Sequence, residues 1–329
     1  MKTGAGIVEA LKSAAGPVTR KSRGVRDRLA RSWLRARLTS REEFIGQIKA
    51  ALRTGRPYAL GKIGGSEQHW LYYNILLKER TRPDKIEQFE QKLDFCMVKQ
   101  AGVFPGDPQF CVKFNEFYVR HLKNLDCLGL FLYPAEKRIV QHYGLDHTLV
   151  HFVDQEPDRS RPDNEANCYL PEFRDKKILI VCPFASLLKE RARKDIFEPV
   201  WSKTGKKWFH PRSVDALEFP YGFDPETHRR FPTAIDLFDH IATEIAKRDF
   251  DVALIAAAGL AIPIASQVKG MGKVGISLGG HLQALFGVIG KRWRDWADWK
   301  RDYFNEWWIE MPAAYRPRQT DVCDQGAYW

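Results

Sequence analysis

The sequence predicts an α/β fold, a parallel sheet with helices on both faces, and three observations predict it. Short apolar runs at 177–182, 251–256 and 274–278 alternate with segments of helical period. Runs this short and apolar throughout suit strands covered on both sides. Glycine-bearing turns follow strands at Gly64-Gly65, Gly259 and Gly279-Gly280, where a parallel strand hands over to its crossover helix. With 329 residues, 44% of them hydrophobic, the chain can bury a large core.

The elements follow in order. Residues 1–40 carry ten Lys and Arg against two acids, a local charge of +8 that leaves +3 of the total +11 for everything else. The basicity therefore belongs to a tail. Residues 1–23 read as mobile, and 25–38 as a helix with Val25, Leu29, Trp33 and Ala36 on one side and Arg28, Arg31 and Arg35 on another. Such a helix, with the basic stretch 20–38, suits an anionic membrane surface; it equally suits a solvated arm or a helix packed on its own domain. Thr39-Ser-Arg-Glu42 resembles a capping box opening a helix to about Leu52. Residues 58–63 read as a buried strand, Gly64-Gly65 as its turn, and Ser66 as the N-cap of a helix over 67–78. Helices are expected over 84–100 and 108–125, and a strand over 149–153. The polar run 154–167 reads as an exposed connection between halves of about 41–160 and 168–300. Helices over 231–248 and 262–269 complete the rhythm, ahead of an aromatic extension over 301–329.

Composition excludes several classes. No stretch approaches the roughly 20 apolar residues of a membrane helix, and Glu9 and Lys12 break the one apolar segment near the N-terminus. The six cysteines are scattered without a C-x-x-C pair, which predicts buried free thiols in a reducing compartment, the cytoplasm. Neither G-x-x-x-x-G-K-[ST] nor a strand-linked G-x-G-x-x-G is present.

Chemistry is expected where strands end, because ligands of open parallel sheets bind there and helix starts offer N–H groups to phosphate. Candidates for a phosphate-bearing ligand are Gly64, Gly65 and Ser66 after the first strand, and Gly279, Gly280 and His281 after the last. Ser277 and Gln283 are placed to read hydroxyl groups, or to cap backbone. Lys291 and Arg292 suit a diphosphate, or an ordinary basic surface. Glu218, an acid in the apolar stretch 217–221, is a candidate general base if apolar surroundings raise its pKa. Asp154-Gln-Glu156, just after the expected strand, is a second Asp-x-Glu, read as a solvated loop ahead of a metal site and ranked second. Trp293, Trp296, Trp299, Trp307 and Trp308 read as packed core.

Residues 61–67, Gly-Lys-Ile-Gly-Gly-Ser-Glu, resemble the Arg-Ile-Gly-Asp-Gly-Glu segment of GT-D-type glycosyltransferases. Residues 253–263 and 272–293 resemble a bacterial family of GT-D-like proteins common near polysaccharide biosynthesis genes. The closing Asp-Gln-Gly-Ala-Tyr-Trp at 324–329 is similar to that family's Glu-Gly-Gly-Cys-Tyr-Trp. The resemblance covers roughly residues 40–329. It implies a Rossmann-like, GT-D-type domain over 41–329 and a nucleotide-sugar donor, a UDP-sugar by analogy. In that family the acids of Asp-x-Glu are linked to a divalent metal and the donor diphosphate. Here Gly65 replaces the Asp, leaving Glu67 as the one expected ligand of Mn²⁺ or Mg²⁺, or a partner for a ribose hydroxyl, and Lys62 to neutralise phosphate. The implied function is sugar transfer to a cell-surface glycan or lipid-linked acceptor, in the cytoplasm at the inner face of the membrane. A non-catalytic nucleotide-sugar or glycan-binding assembly factor is the alternative. Nucleic-acid binding through the tail ranks last, for want of interleaved aromatic residues there.

Overall fold

The computed structural model describes residues 17–157, 168–318 and 326–329. The elements are α1 (Pro17–Arg35), α2 (Arg41–Thr54), β1 (Tyr58–Lys62), α3 (Gly65–Lys78), α4 (Pro83–Glu90), α5 (Pro108–Lys123), β2 (Cys127–Leu130), α6 (Pro134–Tyr143) and β3 (Thr148–His151). The second half adds β4 (Lys177–Val181), α7 (Ala185–Arg191), α8 (Lys194–Val200), β5 (Ser213–Leu217), α9 (Pro225–Arg230), α10 (Ala234–Ala246), β6 (Val252–Ile255), α11 (Ala261–Gly270), β7 (Val274–Ser277) and α12 (His281–Leu285). Short pieces close the chain: β8 (Val288–Ile289), α13 (Lys291–Arg294), α14 (Ala297–Asp302) and β9 (Ile309–Glu310).

The sheet has seven strands, all parallel, in the order β3-β2-β1-β7-β6-β4-β5. This is the expected Rossmann-like α/β architecture. Period-two alternation divides each inner strand between two cores. In β4, Leu179 and Val181 join the core under α1, α3, α5, α6, α10 and α11. Ile178 and Ile180 face the other core, with α2, α7, α8, α12 and the tryptophan-rich end. The steps from β1 to β3 and from β5 to β7 run one way across the sheet with helices on the first face. The step from β4 to β5 runs the other way with helices on the second, so these crossovers all keep one hand.

That arrangement decides where a ligand fits. The chain leaves β4 toward the second face and leaves its neighbour β6 toward the first, so the connections part and open a crevice at the carboxyl ends. The same divergence occurs between β7 and β1.

Local departures from expectation have local causes. The first helix starts at Pro17, eight residues before Val25, since proline's fixed φ suits a first helical turn. Its inner face buries Ala30 and Leu34, and the Arg37 guanidinium lies 3.7 Å over the half-buried Trp33, so Trp33 is engaged within the domain. Val25 and Leu29 remain exposed. Ser40, not Thr39, caps α2 by accepting the Glu43 N–H at 3.2 Å. The helix expected over 84–100 breaks after Glu90 and resumes as a π-turn over Phe95–Gln100. Trp293, Trp299 and Trp308 are core, Trp296 is half-buried, and Trp307 is 44% exposed. Five cysteines are buried free thiols; Cys323 and the stretch 1–16 lie outside the described residues. No helix among the described residues is long and apolar enough to cross a membrane.

Candidate functional site

Three chain segments meet where β1 and β7 end side by side. Lys62 is the last residue of β1, and its Cε lies 3.5 Å from where a side chain at Gly279 would begin. Gly279 adopts φ +57, a left-handed turn that L side chains rarely adopt, so glycine serves there. The third segment follows β3. Gln155 packs on Gly129, whose missing side chain makes room (a Cβ would meet Gln155 Oε1 at 2.4 Å), and donates Nε2–H to the Gly61 carbonyl at 3.1 Å. This pins Glu156 above the strand ends.

Glu156 is 1% exposed. Its Oε1 accepts from Lys62 Nζ at 3.2 Å and faces His281 Nε2 at 2.9 Å. The cluster corrects the reading of 154–156 as a solvated loop: a buried carboxylate needs paired cations, and here β1 and the β7 turn supply them. His281 is a partnered histidine, its ring edge-on to Trp293 at 5.5 Å. Two basic side chains face one carboxylate here, so the corner carries a net positive charge, suited to an anion, when the His281 imidazole is protonated.

Beside it the β4–β6 crevice holds a cavity of about 100 Å³, lined by Phe184, Phe219, Tyr221, Phe223, Tyr328 and Trp329 with Gly102, the 256–258 turn, Gly279 and Gly280. The lining is mostly apolar and aromatic, as ring-binding pockets are. The chain end forms one wall. Gln283 is fully buried and donates Nε2–H to the Tyr328 carbonyl at 3.1 Å, while a Cβ at Gly280 would meet the Tyr328 ring at 2.7 Å.

The other expected residues fall as follows. Glu67 stands one turn into α3 and folds back over the N-cap Gly64, where a Cβ would lie 2.5 Å from Oε2. Gly64, not Ser66, is the N-cap, and the Ser66 hydroxyl donates to Gln100 Oε1 at 2.9 Å. Gly65 is exposed. Ser277 and Gln283 are buried at 2% and 0%, so the expectation that they read ligand hydroxyls gives way to a structural place in the core. Glu218 is exposed rather than sunk in apolar surroundings, and its Oε1 accepts the Ser186 N–H at the start of α7 at 2.9 Å. Lys291 is exposed, and Arg292 is half-buried with its guanidinium 5.0 Å from the Tyr328 ring, against the outer side of the cavity wall. The α12 helix is only five residues long, so the cationic side chains, rather than a helix dipole, define this corner.

A divalent metal fits this donor set poorly. The place of the second acid is Gly65, and the Glu156 carboxylate already holds Lys62, whose charge would repel an ion beside it. Among the described residues no group of three or more His, Cys, Asp and Glu could hold a metal.

Sequence reasoning placed Glu156 in a second-ranked Asp-x-Glu, and it missed Glu136, which is fully buried at the start of α6. Burial pushes the Glu136 carboxyl up to about 8, against hydrogen bonds from the Phe131 and Tyr133 N–H groups. Pro134 followed by Glu136 is a helix-start signature that could have revealed α6. Comparison with protein-family models, curated proteins and solved structures finds no match to this chain.

Proposed function

We propose that the protein is a nucleotide-sugar-dependent glycosyltransferase whose donor, a UDP-sugar by analogy with GT-D enzymes, lies along the carboxyl edge of the sheet. The observation that carries this reading is the adjacency of the aromatic cavity to Gly279 and the Lys62 ammonium. A ring of the donor enters the cavity, and the diphosphate passes over glycine backbone toward Lys62, with Arg292 near the wall. On transfer the acceptor hydroxyl attacks the anomeric carbon, the bond to the diphosphate breaks, and Lys62 stabilises the charge on the leaving phosphate. Glu218 follows β5, across the cavity from Lys62 in the strand order, so the acceptor proton passes to water rather than to this carboxylate. Lys62 takes the place a metal ion holds in related chemistry, so donor binding is independent of Mn²⁺ and Mg²⁺.

One observation favours a second reading. Glu67 is turned back over Gly64 and Gly65 stands where a second acid is expected, an arrangement that also suits a non-catalytic nucleotide-sugar or glycan-binding assembly factor. The exposed Val25 and Leu29, with exposed Arg28, Arg31 and Arg35, support contact of α1 with an anionic membrane surface, where a lipid-linked or surface-glycan acceptor is found.

The test is calorimetry and thermal stabilisation with UDP and a panel of UDP-sugars, with and without Mn²⁺. Binding without Mn²⁺, weakened at least tenfold by Lys62→Met, is expected, since a charged phosphate contact contributes about 1.5–3 kcal/mol. If no nucleotide or nucleotide sugar binds under either condition, the donor reading fails. If one binds and no sugar leaves it in the presence of acceptors, the assembly-factor reading replaces transfer.

A further inference from the structure

A second group of aromatic side chains stands on the opposite side of Lys62 from the cavity. In the β2–β3 register Leu130 pairs with His151, so Phe131 and Phe152 leave the sheet next to one another. Their rings stack at 4.1 Å between centroids and 18° between planes. Tyr133 continues the stack, 5.8 Å from Phe131 and within 3° of parallel. All three rings are half-buried, unlike the enclosed aromatic residues of the two cores.

The loop that carries Phe131 and Tyr133 is held in place by more than a connection needs. Leu132 between them sits at φ +62, a conformation non-glycine residues rarely adopt. The buried Glu136 carboxyl group accepts both flanking N–H groups, from Phe131 and Tyr133, at 2.9 Å each. Gln68 of α3 donates to the same carboxyl group at 3.0 Å. A strained residue and a buried acid in one short loop are characteristic of places where a precise side-chain arrangement is required. What they arrange here is a set of parallel rings whose far end lies near the cationic corner, with Lys62 Nζ 5.9 Å from the centre of the Phe152 ring.

We infer that the Phe152–Phe131–Tyr133 stack is the acceptor subsite and that its ligand is a saccharide. The inference rests on the transferase reading for the word acceptor, but the binding chemistry stands apart from it. A pyranose has an apolar face of C–H groups, and the electron-rich face of an aromatic ring attracts it. Phe131 and Phe152 cover one another at 4.1 Å, whereas the 5.8 Å offset between the parallel Tyr133 and Phe131 rings leaves part of their faces for such a sugar. Stiff rings held by a rigid loop bind such a face with little loss of side-chain freedom. The Tyr133 hydroxyl adds a polar group at the edge of the stack for the sugar's own hydroxyls. Its place also follows from the fold: the cavity lies over β4–β6 and the stack over β2–β3, with Lys62 and Glu156 between them. Two ligands bound at the two ends would meet at that corner.

The experiment uses the full chain, fluorescently labelled, on an array of immobilised bacterial and plant oligosaccharides, alongside calorimetric titration with UDP. Tyr133→Ala and the milder Tyr133→Leu and Phe131→Leu are compared with wild type, each checked by thermal unfolding so that a misfolded variant is set aside for its milder counterpart. The expected result is retention of at least one class of glycan by wild type, reduced tenfold or more by the substitutions, with UDP affinity within twofold of wild type. Glycans retained equally by the variants would overturn the inference, as would the absence of any retained glycan. A tenfold loss of UDP affinity in Tyr133→Ala would also overturn it, because the stack would then hold the nucleobase. Glycan binding that responds to these substitutions when UDP binds nowhere leaves the saccharide subsite standing and removes only the donor reading.

Discussion

Replacing Glu156 with glutamine isolates the energetics of the cationic corner. The substitution keeps shape and one acceptor oxygen but removes the charge that faces Lys62 at 3.2 Å and His281 at 2.9 Å. At an effective dielectric near 20, a pair of unit charges at that separation interacts by about 5 kcal/mol. The lysine side chain is 14% exposed, so part of its charge can be solvated after the change. A net loss on the order of 3 kcal/mol follows, the low end for breaking a buried pair. For a chain of 329 residues that lowers the Tm by roughly 4 °C. Guanidinium or calorimetric unfolding measures it, in single variants and in the double variant. Lys62→Met with Glu156→Gln should recover most of the loss, giving a coupling of about 2 kcal/mol between the sites. Glu156→Gln as stable as wild type, or strict additivity in the cycle, would refute the claim that a buried charge pair organises this corner.

Other consequences are testable by unfolding and mutagenesis. A Cβ at Gly222 would sit 2.1 Å from the Gly102 carbonyl oxygen, backbone against backbone, so Gly222→Ala should cost roughly 3 kcal/mol. Gly64→Ala meets only the movable end of Glu67 at a φ of −76 that alanine accepts, so unfolding should shift by less than about 1 kcal/mol. Burial holds His121 down to about 4, so the unfolded chain binds its proton first as pH falls from about 6.5. Stability should therefore decline between those values by about 3 kcal/mol from this group, and His121→Gln should flatten the decline in a pH series of denaturant melts. Gln283→Leu removes the donor to the Tyr328 carbonyl and should cost about 1–3 kcal/mol, with faster amide exchange at 327–329 seen by mass spectrometry.

How much of this was legible varies with how local the cause is. The inner strands β4, β6 and β7 announce themselves because burial on both faces demands uninterrupted apolar runs. The edge strand β5 does not: Ser213 is exposed and Asp215 pairs with Lys189 and Arg248, so its pattern reads as loop. The four residues of β2 are too few to separate strand from helix by period. The site was half legible. Lys62, Gly279 and His281 follow strands and could be placed by topology, whereas Glu156 sits in a polar run whose burial depends on Gly129, 27 residues earlier. Glu218 shows the converse, since apolar neighbours in sequence point inward while the acid between them faces water. Gln283 looks like a ligand contact because nothing in the sequence says that Tyr328 returns to accept its N–H, and Ser277 does because a strand's last residue can as easily face a ligand as pair with the neighbouring strand.

The seam between β1 and β7 has a kinetic consequence. Tyr58 pairs with Val274, so strands made early must wait for more than 200 further residues before their neighbour exists. During synthesis the β1–β3 unit and the β4–β7 unit would each have to persist with an open edge, and joining them is the step with the longest loop to close. Lys62 and Glu156 arrive with the first unit and His281 with the second, so the corner is assembled only at that junction. A chain whose seam parts for a moment would lose this arrangement while keeping most of its secondary structure, making occupancy of the corner a sensitive reporter of whether the two units are joined.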